Sequence, residues 1–181
     1  MHANIATKLT TILHLVPALA LGALGVACDA EEPTGALTAQ EEAHLETFDE
    51  LDFEVFTNQR WEDLDHSHAE DVIVHWPDGH ATEGIDVHIA DLSGMFVYAP
   101  DTRIEEHPIR IASEEWTSVT GVLEGTFTEP MPAGDGTFIE PTGLAFEIPM
   151  ATIGRWEDGV MVEEWLFWDN QAFLVQIGLA G

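Results

Sequence analysis

Positive charge is almost missing from this chain: 181 residues carry 34 aspartates and glutamates against five lysines and arginines. Lys8 is the sole lysine, and beyond residue 28 the cations are Arg60, Arg103, Arg110 and Arg155. Such a surface repels nucleic acid and anionic headgroups, so neither is an expected partner, and it favours solubility in salty surroundings. Cysteine is equally scarce. Cys28 stands alone, which excludes a disulfide within the chain and any multi-thiolate zinc site. No glycine-rich phosphate loop occurs and Ser93 lacks a nucleophile-elbow context, which speaks against nucleotide and serine-hydrolase chemistry.

Residues 1–27 read as an export leader and are set apart from the fold. Lys8 gives a thin positive region, and the apolar stretch 11–27 is broken by His14 and Pro17, too short for a confident membrane span. Leu24-Gly25-Val26-Ala27-Cys28 resembles a bacterial lipobox, with Gly25 where leucine is usual. Lipidation of Cys28 and plain cleavage after Ala27 are both open. The expected location is the cell envelope, with membrane contact only through a lipid anchor on Cys28. Removing 27 residues leaves 154, with all 34 acids and four arginines, a net charge of −30. That length suffices for one domain with a core.

Residues 28–37 form an acidic tether with Pro33 and Gly35, and 38–181 form the domain. Thr38-Ala-Gln-Glu41 has the form of a capping box. Leu45, Phe48, Asp52, Val55 and Phe56 follow at helical spacing, which predicts a helix over 39–58. A shorter helix over 60–67 leads into a strand over 71–75, stopped by Pro77-Asp78-Gly79. Ile85, His88, Ile89, Leu92, Met95 and Phe96 predict a second helix ending near Pro100. Strands are predicted over 102–113, with Pro108 marking an edge or bulge, and over 116–128, 144–150 and 160–168. The segment 129–143, with three prolines and three glycines, reads as a loop. Helices followed by long antiparallel strands define an α+β domain, with helices across one face of a curved sheet enclosing a pocket.

Asp169 closes the last strand. Strict alternation puts Met161, Glu163, Trp165, Phe167 and Asp169 on one face and Val160, Val162, Glu164, Leu166 and Trp168 on the other. A carboxylate sharing a face with Trp165 and Phe167 is expected to be partly desolvated, hence a proton carrier near neutral pH. The competing reading makes Asp169 a turn or helix cap.

Taken in order, Glu70-Asp71-Val-Ile-Val-His75-Trp-Pro-Asp-Gly79, Glu83-Gly84-Ile85, Pro100-Asp101-Thr-Arg-Ile, Pro141-Thr142-Gly143, Asp158-Gly159-Val160, Glu164-Trp165-Leu-Phe-Trp-Asp169 and Gln176-Ile-Gly178 resemble the SnoaL-like polyketide cyclases. The resemblance spans about 66–178. It implies the cone of helices and curved sheet shared with nuclear transport factor 2 and ketosteroid isomerase. It also implies a cofactor-free aldol-type cyclisation of a small hydrophobic carbonyl compound, with Asp169 at the position of the proton-abstracting aspartate. Isomerisation or dehydration on the same scaffold is a related possibility, and a homodimer through the sheet is the family's analogy. Trp165, Trp168, Phe146, Trp76 and Phe127 are the expected pocket walls, and Arg155 or His75 the donor to a developing oxyanion.

Two features depart from the family. Gly125-Thr126-Phe127-Thr128-Glu129 puts Phe127 where many relatives have histidine, and the 129–143 loop is longer than usual. With export, these favour the alternative of a non-catalytic hydrophobic-ligand-binding lipoprotein. Histidines 66, 68, 75 and 80 with Glu70 invite a metal reading, but scattered histidines do not guarantee convergence, and no metal is expected. For Arg155 the competing role is a strand-end salt bridge to Glu157 or Asp158.

Overall fold

The computed structural model describes residues 35–181; the leader, Cys28 and most of the tether lie outside the described residues. The capping box forms: the Glu41 N–H donates to Thr38 Oγ1 at 3.2 Å and the Thr38 N–H to Glu41 Oε2 at 2.7 Å. It opens α1, Ala39–Glu50, which buries Leu45 and Phe48. The predicted single helix then changes character, because Leu51–Phe56 is a π-helical turn. All but two of that turn's residues are buried, Asp52 among them. A widened turn of this kind re-aims side chains and is frequent at functional sites.

A 3₁₀ segment, Trp61–His66, leads to β1, His68–His75, which starts earlier than predicted. β2 (Ala81–Glu83) and α2 (Ile85–Tyr98) follow. Pro108 truncates the expected 102–113 strand to β3, Ile109–Ser113, since a proline cannot donate to the ladder. β4 is Trp116–Thr126, and the 129–143 loop holds a small hairpin of β5 (Met131–Pro132) and β6 (Phe138–Ile139). β7 runs Ala145–Glu157, β8 runs Val160–Trp168, and α3, Asn170–Gln176, closes the domain.

The six-stranded sheet has the order β2-β1-β8-β7-β4-β3, antiparallel except for the β1–β8 pair. This is the predicted α+β architecture. α1, the π turn and α2 share one core with the inward side chains of β4, β7 and β8, including Val119, Phe146, Ile148 and Trp156. His44 of α1 stacks on Trp156 at 4.6 Å, and the Trp156 indole N–H donates to Thr117 Oγ1 at 2.8 Å.

The β7–β8 hairpin sets the register that matters most. Asp158 and Gly159 both take positive φ, at 50° and 90°, the conformation a tight two-residue hairpin loop needs. One residue later the pairing slips: Trp156 faces Met161, but Arg155 faces Glu163, leaving Val162 as an extra residue. That is a bulge, and it exchanges the two faces of the strand from there on. Met161 points inward before it; Glu164 and Leu166 are buried after it, and Phe167 is exposed.

Candidate active site

The bulge puts Glu164, Leu166 and Trp168 into the domain and turns Glu163, Trp165 and Phe167 outward, the reverse of strict alternation from Met161. Between the helices and the sheet lies a cavity in which about 40 Å³ admits the centre of a water-sized sphere. Its walls are largely apolar, from Leu92 and Met95 of α2, Met150 of β7, and Leu166 and Trp168 of β8. Four polar residues share it: Asp52, His88, Thr152 and Glu164. A few polar groups in an apolar hollow are the usual composition of a small-molecule site.

Asp52 comes from the π turn and is 7 % exposed. Its Oδ2 lies 2.8 Å from His107 Nε2, and His107 Nδ1 lies 2.8 Å from Asp49 Oδ1. Arg110 in turn sits 2.9 Å from Asp49 Oδ2. The chain Asp52–His107–Asp49–Arg110 therefore runs from the cavity wall toward the surface. Burial raises the Asp52 carboxyl above its ordinary value, against the lowering pull of His107. For His107 burial works downward, but the bonds and charges of Asp52 and Asp49 outweigh it and raise the imidazole. A carboxyl with a raised pKa is the better proton acceptor.

On another wall Glu164, 3 % exposed, approaches two buried imidazoles. Its Oε2 is 3.4 Å from His88 Nε2 and 3.6 Å from His68 Nε2. Burial holds His88 down at about 4, so its ring is neutral at neutral pH. The Glu164 carboxyl lies below its ordinary value: burial raises it, and His68 and His88 outweigh burial. Burial dominates at His88 because no hydrogen bond opposes it.

Several expected site residues fall elsewhere. His75, Arg155 and Trp165 do come together, but on the outer face of the sheet. His75 Nε2 lies 2.8 Å from Glu163 Oε1, Arg155 Nε donates to Glu163 Oε2 at 3.3 Å, and the His75 and Trp165 rings stack at 4.9 Å. Arg155 also pairs with Glu157, the strand-end bridge that was the competing reading. These three are corrected from cavity to exterior, and the Val162 bulge is the cause for the β8 member. Phe127 and Phe146 are core filling outside the cavity, at 0 % and 2 % exposure. Phe146 fits because residue 125 is glycine, where a Cβ would meet Phe146 Cζ at 2.7 Å. Trp168 lines the cavity as expected, with Trp76 edge-on to it at 6.2 Å.

Asp169 is exposed and caps α3, its Oδ1 accepting the Ala172 N–H at 2.9 Å. The desolvated face expected for it is not there. It sits with Phe167, Pro77 and Pro149 on a shallow outer groove. The interior groups that sequence reasoning passed over, Asp52, His88 and Glu164, shared one signal. Each is an ionisable residue at an apolar position: Asp52 between Phe48 and Val55 in the helical stripe, His88 between Ile85 and Leu92, and Glu164 in the run that ends Leu166 and Trp168.

Fold and site together define a helix-and-sheet cone with a buried acid–base cluster in its hollow. A family model of SnoaL-like polyketide cyclases matches residues 47–177, and the chain belongs to that family. Among solved structures it is similar to a protein of Jannaschia sp. CCS1 described as a SnoaL-like polyketide cyclase. That likeness has a TM-score of 0.70 at 19% identity and covers 81% of this chain and 99% of that one. It is similar to IdmH of Streptomyces antibioticus, described as a polyketide cyclase, at 0.63 and 24%, over 75% and 98%. A protein of Burkholderia pseudomallei described as nuclear transport factor 2-like gives 0.60 and 18%, over 78% and 99%. At these identities the likeness carries the fold alone. No curated protein matches this chain significantly.

Proposed function

We propose that the domain performs acid/base chemistry on a small hydrophobic carbonyl compound held in the interior cavity, with Asp52 as the proton-transferring group. The observation that carries this is a buried carboxyl on an apolar cavity wall, backed by an imidazole that spends both ring nitrogens on carboxylates. A carbon acid beside a carbonyl needs one positioned base and a group that stabilises the enolate oxygen. Asp52 supplies the first; His107 and Asp49 hold it in place and give the proton a route outward. His88, a neutral imidazole on the cavity wall, would supply the second as a hydrogen-bond donor. Aldol-type cyclisation is the leading reaction, with isomerisation or dehydration on the same scaffold as its relatives, as the family resemblance implies.

The alternative reading is a hydrophobic-ligand carrier of the envelope, anchored through Cys28. Phe127, core filling where many relatives have a histidine, favours it. Mass spectrometry of the purified protein identifies any co-purifying molecule, and incubation with candidate carbonyl compounds reads turnover. Loss of turnover in Asp52→Asn with ligand binding retained supports the enzyme. Full turnover in that variant removes Asp52 from the role, and binding without turnover in the wild type supports the carrier.

A further inference from the structure

We infer that His68, His88 and Glu164 form a binding site for one divalent transition-metal ion of the zinc class, with its remaining coordination position turned to the cavity. Among the described residues, these are the three side chains of ligating type whose donor atoms converge, all within 4.8 Å of one another. They arrive from three separate elements: the start of β1, the first turn of α2 and the stretch of β8 just past the bulge.

The distances fit an ion better than they fit hydrogen bonds. A charge-assisted N–H···O bond closes to about 2.7–2.9 Å, whereas His88 and His68 stand 3.4 and 3.6 Å from Glu164 Oε2. Ligands at about 2.0–2.2 Å from a tetrahedral zinc lie roughly 3.3–3.5 Å from each other. The two separations from Glu164 match edges of such a polyhedron, and the three donor atoms all lie within 4.8 Å of one another.

Proton positions lead to the same place. The Ser67 hydroxyl donates to Leu64 O at 3.1 Å, so the 2.9 Å contact between Ser67 Oγ and His68 Nδ1 is made by the imidazole N–H. Nδ1 is thereby engaged, and Nε2 is the ring atom left facing Glu164. Both atoms, His68 Nε2 and Glu164 Oε2, are buried without a partner. Two buried polar atoms that face each other unpaired leave a place for an ion to bridge them. Among the described residues no arginine is placed to do so. Arg60, Arg103, Arg110 and Arg155 all pair with surface carboxylates. A bound serine behind a ligating histidine also matches the outer-shell support that fixes tautomer and ring angle in metal sites. His88 Nδ1 lacks such support within the protein.

Three ligands and a face on the cavity make a catalytic rather than a structural site. There the ion would draw electron density from a carbonyl oxygen of a compound in the cavity that Asp52 also lines. Binding itself does not depend on the catalytic reading and is measured without turnover, so either can fail while the other stands.

The test uses the full chain, stripped with a chelator and titrated with Co²⁺ in high salt, which suppresses loose binding to the acidic surface. We expect one equivalent to develop visible bands of four- or five-coordinate cobalt, zinc to displace it, and zinc to raise the unfolding temperature by several degrees. His68→Gln and Glu164→Gln abolish the bands and weaken zinc at least ~100-fold. His75→Gln, on the outer face, leaves them intact. Absence of stoichiometric binding in the wild type overturns the proposal. So does unchanged binding in either ligand variant, or equal loss in His75→Gln. Near-UV dichroism of each variant separates loss of ligand from loss of fold, and the wild-type titration decides without any variant.

Discussion

Glu163 and Glu164 are neighbours in sequence and opposites in circumstance. Glu163 faces out and takes a 2.8 Å bond from His75 and a 3.3 Å bond from Arg155, all partly in solvent. Bonding to His75, and then to Arg155, holds its carboxyl below the ordinary value. Glu164 faces in, 3 % exposed, with two imidazoles near but not bonded. Exposed ion pairs contribute little and are tolerated anywhere. A buried, incompletely paired carboxylate is costly, and a fold that keeps one uses it. The lesson of the pair is that chemistry on this strand is decided by which side of the sheet a residue occupies.

That choice is tested by placing a charge on either face. Leu166 is 7 % exposed and Phe167 49 %. Leu166→Asp puts an unpaired carboxylate in the interior and is expected to cost on the order of 3–5 kcal/mol, a large part of a stability on the order of 5–15 kcal/mol. Phe167→Asp is expected to stay within about 1 kcal/mol. Urea midpoints and near-UV dichroism read both. Equal costs would show that the bulge does not govern the faces.

Next in size is the contrast between the two aspartates. Asp52→Asn is expected to lower turnover of a responsive carbonyl substrate by about 10²–10⁴-fold. Asp169→Asn is expected to stay within about two-fold, because asparagine caps a helix as well as aspartate does. Steady-state rates on both variants decide it, and the opposite ranking would return the proton transfer to the exposed aspartate.

Much of the architecture was legible before the structure. The Thr38–Glu41 capping box, the α2 stripe and the long strands each rest on local chemistry that reads off a few neighbouring residues. The placement of the site was less legible for a physical reason. Alternation over 160–169 is correct residue by residue until a bulge intervenes, and a single unpaired residue in the strand leaves no mark in composition. The sequence assigns Trp165 to the pocket wall and Arg155 or His75 to an oxyanion, and the structure puts all three on the outer face. Conversely, Asp52 lay in plain view within an apolar stripe. Its importance depended on the widened turn and on His107, which lies 55 positions away.

A smaller effect separates the glutamates by stability alone. In chelator-treated protein, Glu164→Gln removes a buried carboxylate oxygen that has no bonded partner and is expected to leave stability unchanged or raise it by about 1 kcal/mol. Glu163→Ala removes exposed bonds and is expected to cost about 0.5 kcal/mol. Urea midpoints measure both. Equal costs would mean that the two sides of β8 are energetically alike, against the whole contrast drawn above.

The smallest effect is a slope with pH. His107 faces Asp49 and Asp52, with Arg110 behind Asp49, and its folded pKa lies above the ordinary 6.5. The folded state thus keeps a proton that the unfolded chain releases, so this stabilisation is complete below 6.5 and fades as pH rises through the folded value. Asp52, raised above 3.8 by burial, acts in the same direction, beginning at lower pH. Together they predict a decline of up to about 1.4 kcal/mol per pH unit per proton retained. Urea unfolding from neutral to alkaline pH should show that decline in the wild type and a nearly flat line in the Asp52→Asn, His107→Gln double variant. If the double variant keeps the wild-type slope, the interior relay is not where the fold stores its proton.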